Sequence, residues 1–316
     1  MQGQGTMETK VITPPKEALS ATPALAVGSE FHLAKILVAT DFSPASDRAL
    51  DYAISLARRY GAKIYLTHVI LAEGYPMVAP ELLVAREASL RRQAREALYK
   101  IADSHRLMGV DYDVLIEEGN FWPTVESLVE THGVDLVVAG THSMGVVQKV
   151  LLGSNAEQIF RQARVPILTV GPNAPEETWY EAEFKHILFA TDFGPGAERE
   201  AAVALSLARE HRARLTVLHV LTGAEESMGA NREFLLRQMR ELISPQTDGH
   251  CLVDFQVVHG KPVEKILQAE AELNVDLIVM GAKPRRGVVG HAARATAYEV
   301  VKRAACPVLT VRSCAS

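Results

Sequence analysis

The sequence predicts an α/β fold: two tandem doubly wound domains, each built on a five-stranded parallel sheet with helices on both faces. Two observations carry this. The first is an internal repeat. Ile36-Leu37-Val38-Ala39-Thr40-Asp41-Phe42 returns as Ile187-Leu188-Phe189-Ala190-Thr191-Asp192-Phe193, and Val165-Pro166-Ile167-Leu168-Thr169-Val170 returns as Cys306-Pro307-Val308-Leu309-Thr310-Val311. Asp192 answers Asp41 and His219 answers His68 at one spacing, while Asp276 answers Asp135 and Pro307 answers Pro166 at a spacing ten residues shorter. A unit this long is a whole domain, because solenoid repeats run only ~20–50 residues. The second observation is that short apolar runs alternate with helical patterns of ten or more residues, which implies right-handed crossovers and a parallel sheet.

In the first copy, Lys35 to Thr40 is an apolar run without alternation, as expected of a strand covered on both faces. Ser43 is placed to cap a helix and Pro44 suits its first position, where a missing N–H costs nothing. Leu50, Ala53, Ile54 and Ala57 recur at helical spacing through to Tyr60, and Gly61 ends the helix. Lys63 to Val69 reads as a strand, Glu81 to Arg106 as a long charged helix, and Val110 to Glu117 as a third strand. Thr124 to Thr131 is a helix and Val134 to Gly140 a fourth strand. A loop from Thr141 to Gly153, a helix from Ser154 to Ala163 and a strand from Val165 to Val170 complete the unit. The second copy repeats the scheme from Phe184 to Arg312, its second helix cut to roughly Asn231 to Ile243. The expected organisation is a flexible tail over 1–30, domain 1 over 31–171, a linker over 172–183 and domain 2 over 184–316. Met7 is an alternative start.

With 316 residues, each copy is large enough for a core of its own. A net charge of −5 gives no overall basic field to attract nucleic acid or an anionic membrane. No run approaches the ~20 apolar residues of a membrane span, and the first thirty residues lack the apolar stretch of a signal peptide. Three cysteines make no CxxC pair and no ligand set with histidine, so neither a disulfide framework nor a structural zinc site is indicated. These features together predict a cytoplasmic protein.

Ligands of doubly wound sheets bind beyond the carboxyl ends of the strands, where strand order reverses. Those ends carry Thr40-Asp41, Val69-Ile70 and Gly140 onward. Gly140-Thr141-His142-Ser143-Met144-Gly145 leads to Gly153-Ser154 at a helix start, where free N–H groups and the helix dipole suit phosphate. Ser154 either donates to such an anion or only caps its helix, and Gly140 either bares backbone to it or only turns the chain. No GxxxxGK[ST] is present, so a P-loop nucleotidase is excluded. Gly194-Pro195-Gly196 fails as a dinucleotide fingerprint because Arg199 stands at the third glycine, and it reads as a helix start. His68 and His219 read as hydrogen-bonded core residues, and Glu117-Glu118 as a solvent-facing pair after a strand. Neither a serine–histidine–carboxylate set nor paired acids can be assembled, so no catalytic set and no metal ligand is assigned.

From Lys35 to Arg312 both copies resemble the universal stress protein family. The likeness rests on Ala39 to Pro44 (Ala-Thr-Asp-Phe-Ser-Pro), Thr67-His68-Val69, the run from Val134 to His142, and Val165-Pro166-Ile167-Leu168. It implies strand order 3-2-1-4-5 and a role in stress survival. It also implies, for ATP-binding members, Gly, two residues, Gly, nine residues, Gly and Ser or Thr. Here Gly140, Gly153 and Ser154 match while Ser143 stands at the second glycine. The resemblance places Ala39, Thr40, Asp41 and Val69 around adenine and ribose, and Gly140, His142, Ser143, Gly153, Ser154 and Asn155 along the phosphates. ATP, with Mg possible, is then the ligand of copy 1, acting as signal or switch and not as substrate. Copy 2 departs further, with Pro284 at the second glycine and Arg294-Ala295 where Gly-Ser is expected, and reads as degenerate. A non-nucleotide scaffold and a slow ATPase are the alternatives. Single-copy homologues commonly dimerise through the last strand, which predicts an intrachain pseudo-dimer with Pro166 to Val170 antiparallel to Pro307 to Val311. A homodimer of whole chains is a further option.

Overall fold

The computed structural model describes residues 32–71, 80–141, 165–175, 183–243, 251–281 and 296–312. In copy 1 the elements are β1 (Lys35–Ala39), α1 (Pro44–Tyr60), β2 (Lys63–Leu71), α2 (Pro80–Ala102), β3 (Tyr112–Gly119), α3 (Phe121–His132), β4 (Leu136–Gly140) and β5 (Ile167–Val170). Copy 2 begins with β6 (His186–Ala190), α4 (Ala197–His211), β7 (Arg214–Leu221) and α5 (Gly223–Ser227). It continues with α6 (Arg232–Ile243), β8 (Val253–His259), α7 (Pro262–Leu273), β9 (Leu277–Gly281), α8 (Thr296–Arg303) and β10 (Val308–Val311). The start of α1 follows the sequence cues: Ser43 caps it, accepting from Ser46 N at 3.3 Å, and Gly61 ends it at φ +66°. The predicted second helix stops short of Arg106, which leaves it to bond Asp51 at 2.7 Å and Asp47 at 3.4 Å on α1. Glu117 and Glu118 lie within β3 instead of after it, and Glu118 pairs with Arg91 at 2.9 Å. The short helix α5 has no forerunner in the sequence reading; its capping box of Thr222 and Glu225 holds only five residues. The helix expected from Ser154 to Ala163 lies outside the described residues.

The ten strands of the described residues join one sheet in the order β3-β2-β1-β4-β5-β10-β9-β6-β7-β8. Each half keeps the 3-2-1-4-5 order, and every pairing is parallel except the one between the halves. There β5 and β10 run antiparallel, with Val308 opposite Thr169, Leu309 opposite Leu168 and Thr310 opposite Ile167. This is the pairing expected from the sequence, and its cause is the apolar edge that each half would otherwise expose. Neighbouring contacts reinforce the junction. Arg59 on α1 donates to the Glu210 carbonyl on α4, and Asn173 Nδ2 donates to the Arg303 carbonyl at 3.3 Å.

Side chains alternate across the sheet with period two. Ile36, Val38, Ile187 and Phe189 point into a single core that runs through both copies beneath α1 and α4. Leu37 and Ala39 face a separate core in copy 1 with α3, while Leu188 and Ala190 face another in copy 2 with α7 and α8. The repeated aspartates are staples for this arrangement. Asp135 Oδ2 accepts from Ala34 N and Lys35 N, both at 2.9 Å, and Asp276 Oδ2 accepts from Lys185 N at 2.7 Å and His186 N at 2.8 Å. No described helix is long and apolar enough to cross a membrane.

Candidate functional site

In copy 1, β1 lies between β2 and β4, so the chain leaves β1 toward one side of the sheet and leaves β4 toward the other. The crevice of a doubly wound sheet forms at this reversal. Register places its rim: Ala39 pairs with both Thr67 and Ala139, so Thr40 leaves the sheet flanked by His68 and Gly140.

Local hydrogen bonds fix the turn that follows. Thr40 N donates to Thr67 O at 2.9 Å, and Thr40 Oγ1 accepts from Phe42 N at 3.0 Å while lying 3.0 Å from Ser46 Oγ. Asp41 Oδ1 accepts from Ser43 N at 3.0 Å. His68 Nδ1 stands 2.8 Å from Thr40 O, and since a carbonyl only accepts, this nitrogen carries the proton. Phe42 takes φ +64°, an unusual conformation for a bulky residue, with its ring stacked on His68 at 4.5 Å. Thr40 is thus buried and its hydroxyl is engaged by the turn, whereas the Asp41 carboxylate reaches the exposed rim.

The remaining site residues divide between described and undescribed chain. Val69 is buried within β2, two residues before the strand ends, because β2 extends to Leu71. Gly140 closes β4, where a Cβ would stand 2.4 Å from Ala45 C and 2.6 Å from Ser46 N. Close packing of strand on helix therefore demands glycine there, whatever the crevice holds. His142, Ser143, Gly153, Ser154 and Asn155 lie outside the described residues, as do Pro284 and Arg294 of copy 2.

Copy 2 repeats the turn almost bond for bond. Thr191 N donates to Leu218 O at 3.0 Å, Thr191 Oγ1 accepts from Phe193 N at 3.1 Å, and Asp192 Oδ1 accepts from Gly194 N at 3.3 Å. Phe193 also takes positive φ, +52°, beside His219, whose Nδ1 donates to Thr191 O at 2.9 Å. The Gly194-Pro195-Gly196 segment serves as the start of α4, as its sequence implied. Two features differ from copy 1. His219 Nε2 lies 3.3 Å from Glu225 Oε1 on α5. Glu200, 1 % exposed on α4, sets its carboxylate against Gly281, where the first copy has Ala49 and direct helix–strand contact. The sequence carried a signal for it: an acid on the apolar stripe of a helix, in a position that reads alanine in the other copy.

Elsewhere, Cys306 is a buried core residue, and burial and then the adjoining Glu270 push its thiol well above the ordinary range. Among the described residues no three His, Cys, Asp or Glu side chains gather as a metal set.

Two doubly wound modules, fused edge to edge and each with its crevice at a strand-order reversal, define a tandem α/β protein. A model of the Universal stress protein family matches residues 32–171 and again 183–312, so the chain belongs to that family and carries its unit twice. A universal stress protein of Mycolicibacterium smegmatis is 24% identical over 291 residues, spanning 88% of this chain and 96% of its own. A Thermus aquaticus relative, described as the universal stress protein in the QAH/OAS sulfhydrylase 3' region, is 35% identical over 136 residues, 41% of this chain and 99% of the relative. The crystal structure of a universal stress protein from Archaeoglobus fulgidus matches with a TM-score of 0.70 at 21% identity, over 90% of this chain and 98% of the other. That last likeness speaks for the fold.

Proposed function

We propose that copy 1 binds an adenine nucleotide, ATP with Mg²⁺ on its phosphates, as a ligand or switch in a stress response, and performs no dedicated chemistry on it. The observation that carries this reading is the exposed Asp41 carboxylate on the rim of the β1–β4 crevice. An acid at such a rim is placed to accept from ribose hydroxyls, as in related open sheets. Ala39, Thr40 and Val69 then serve as the apolar and backbone wall for the base. Gly140, His142, Ser143, Gly153, Ser154 and Asn155 supply the phosphate side, where bare backbone and the helix start expected from the sequence at Ser154 would favour an anion. The turn holding Asp41 is fixed by Ser43 N, which leaves the rim preorganised for a ligand.

One observation favours a second reading, a scaffold that holds no nucleotide. The demand for glycine at position 140 is met by packing against Ala45 and Ser46, and the Thr40 hydroxyl is engaged within its own turn. Mass spectrometry of small molecules released from freshly purified protein separates the two. Near-stoichiometric adenine nucleotide supports the first reading; protein that releases none and takes up none on titration supports the scaffold.

A further inference from the structure

Toward the carboxyl ends of its strands, copy 1 buries two hydrogen-bonding groups that have no partner among the described residues: the Trp122 indole Nε1 and the Thr141 hydroxyl. The fold puts both on one side of the sheet. Gly140 turns its bare face to α1, where a Cβ would meet Ala45. Thr141 follows it, still bonded through its N–H to Val170 O at 2.9 Å, and so projects to the opposite side, that of α3. Trp122 stands in the first turn of α3, three and seven residues before the buried Val125 and Val129, on the stripe that faces the sheet. It packs on the same core as Ala39 and Tyr65. Because α3 lies over β2 and β3 and starts just after β3 ends, this turn comes over the carboxyl end of β2, where Val69 shares the side of Tyr65. Each residue as a whole is only partly buried, so both groups lie close beneath the rim. Copy 2 has Val263 and Ala282 at the matching positions, and neither side chain carries a polar atom.

We infer that Trp122 and Thr141 are two further ligand contacts of the first crevice, the indole N–H donating to the purine and the Thr141 hydroxyl donating to the phosphate end. The inference rests on reading copy 1 as the nucleotide site. Strand order sets the two ends, since β1 lies between β2 and β4. A nucleotide laid across the strand ends, with its base at Val69 on β2 and its phosphates at Gly140 on β4, meets Trp122 at one end and Thr141 at the other. The chemistry of the groups agrees. An indole N–H only donates, and the ring nitrogens of a purine accept. A hydroxyl donates readily to a phosphate oxygen. A buried donor without a partner carries a free-energy cost, and a ligand that supplies the acceptor removes it. A site of this kind discriminates strongly, because a ligand lacking the acceptor leaves the cost in place.

The test follows binding of Mg-ATP and of adenosine to the full-length protein by tryptophan fluorescence and calorimetry. The chain has two tryptophans, Trp122 and Trp179, so Trp179→Phe leaves Trp122 as the sole reporter. Its emission should change saturably with either ligand. Trp122→Phe should weaken both ligands, whereas Thr141→Val should weaken Mg-ATP and spare adenosine, each by roughly three- to ten-fold, as expected for one net hydrogen bond. Thr141→Val should also leave the thermal midpoint unchanged or raised, since it removes a buried hydroxyl that has no partner. A midpoint that falls would assign that hydroxyl to the fold and overturn its role. Circular dichroism establishes that each variant is folded, and Trp122 emission decides the role of the indole should Trp122→Phe unfold. Folded variants that bind Mg-ATP as tightly as wild type, with Trp122 emission unmoved, overturn the inference and leave the copy 1 reading standing. If only one variant binds like wild type, the role of that residue is overturned. Wild type that takes up neither ligand overturns the copy 1 reading and this inference together.

Discussion

Replacing Glu270 with alanine should destabilise the second copy far more than its place on a helix would suggest. Glu270 lies on α7, is 6 % exposed, and its Oε1 accepts from Ala305 N at 2.6 Å and from Cys306 N at 2.9 Å. Those two N–H groups belong to the turn between α8 and β10, so one carboxylate oxygen fixes the entry to the strand that joins the two halves. Copy 1 has Val129 at the matching position, so this device is peculiar to copy 2. Alanine would leave the buried Cys306 donor without its partner, while the N–H of the exposed Ala305 can turn to water. One unsatisfied buried group costs about 1–3 kcal/mol, and that range is the expected loss. Glu270→Gln retains an acceptor oxygen but gives up the charge, and charged hydrogen bonds are about twice as strong as neutral ones, so its loss should be smaller. Urea unfolding followed by circular dichroism measures the loss, and hydrogen exchange at residues 305 and 306 locates it. An alanine variant within about 0.5 kcal/mol of wild type, the scatter expected of an ordinary surface change, would refute the reasoning.

Further outcomes follow from other contacts. Gly140→Ala should cost at least about 1–3 kcal/mol, because the backbone atoms at 2.4–2.6 Å are those of a helix and cannot swing aside; wild-type stability in that variant would contradict the packing argument. Thr169→Pro should cost about 3 kcal/mol or more by introducing a ring into a fully buried strand held on both sides, and an unchanged urea midpoint would argue against the β5–β10 junction. Burial raises the ionisation of Tyr52 and Tyr60 above its ordinary value of 10.0, so the folded state keeps these protons while the unfolded state releases them. Stability should therefore fall as pH climbs past 10, and Tyr52→Phe should flatten that decline; a flat wild-type profile would contradict it. ATP turnover should be far below the roughly 10 per second of a median enzyme, since no base and nucleophile pair is assigned, and sustained hydrolysis near that rate by pure protein would overturn the non-enzyme reading.

The repeat made most of the fold legible. Strands buried on both faces read as unbroken apolar runs, and Ser43-Pro44 and Gly61 carry their helix boundaries in their own chemistry. The edge argument reached the β5–β10 pairing because an apolar terminal strand must be covered by something, and its twin is the nearest match. Boundaries set by long-range contact were harder to read. The second helix stops at Ala102, and Arg106 beyond it binds Asp47 and Asp51, residues over fifty positions earlier. The site was legible as a list of residue types but not as a division of labour. Thr40 and Asp41 are adjacent in sequence, yet one is buried in its own turn and the other lies on the rim. The glycine at position 140 pointed to backbone approach, and the structure supplies the approaching partner: the first turn of α1. Glu200 taken alone reads as surface, and only its alignment with Ala49 of the other copy marks the position as buried.

The central claim is one nucleotide site per chain, in copy 1. Calorimetric titration of the full-length protein with Mg-ATP tests it most directly, alongside a variant in which Gly153 is replaced by a bulky residue. The account predicts a stoichiometry of one in the wild type and none in the variant, because the added side chain would occupy the phosphate position. Two equal sites, or binding that survives the substitution, would contradict it.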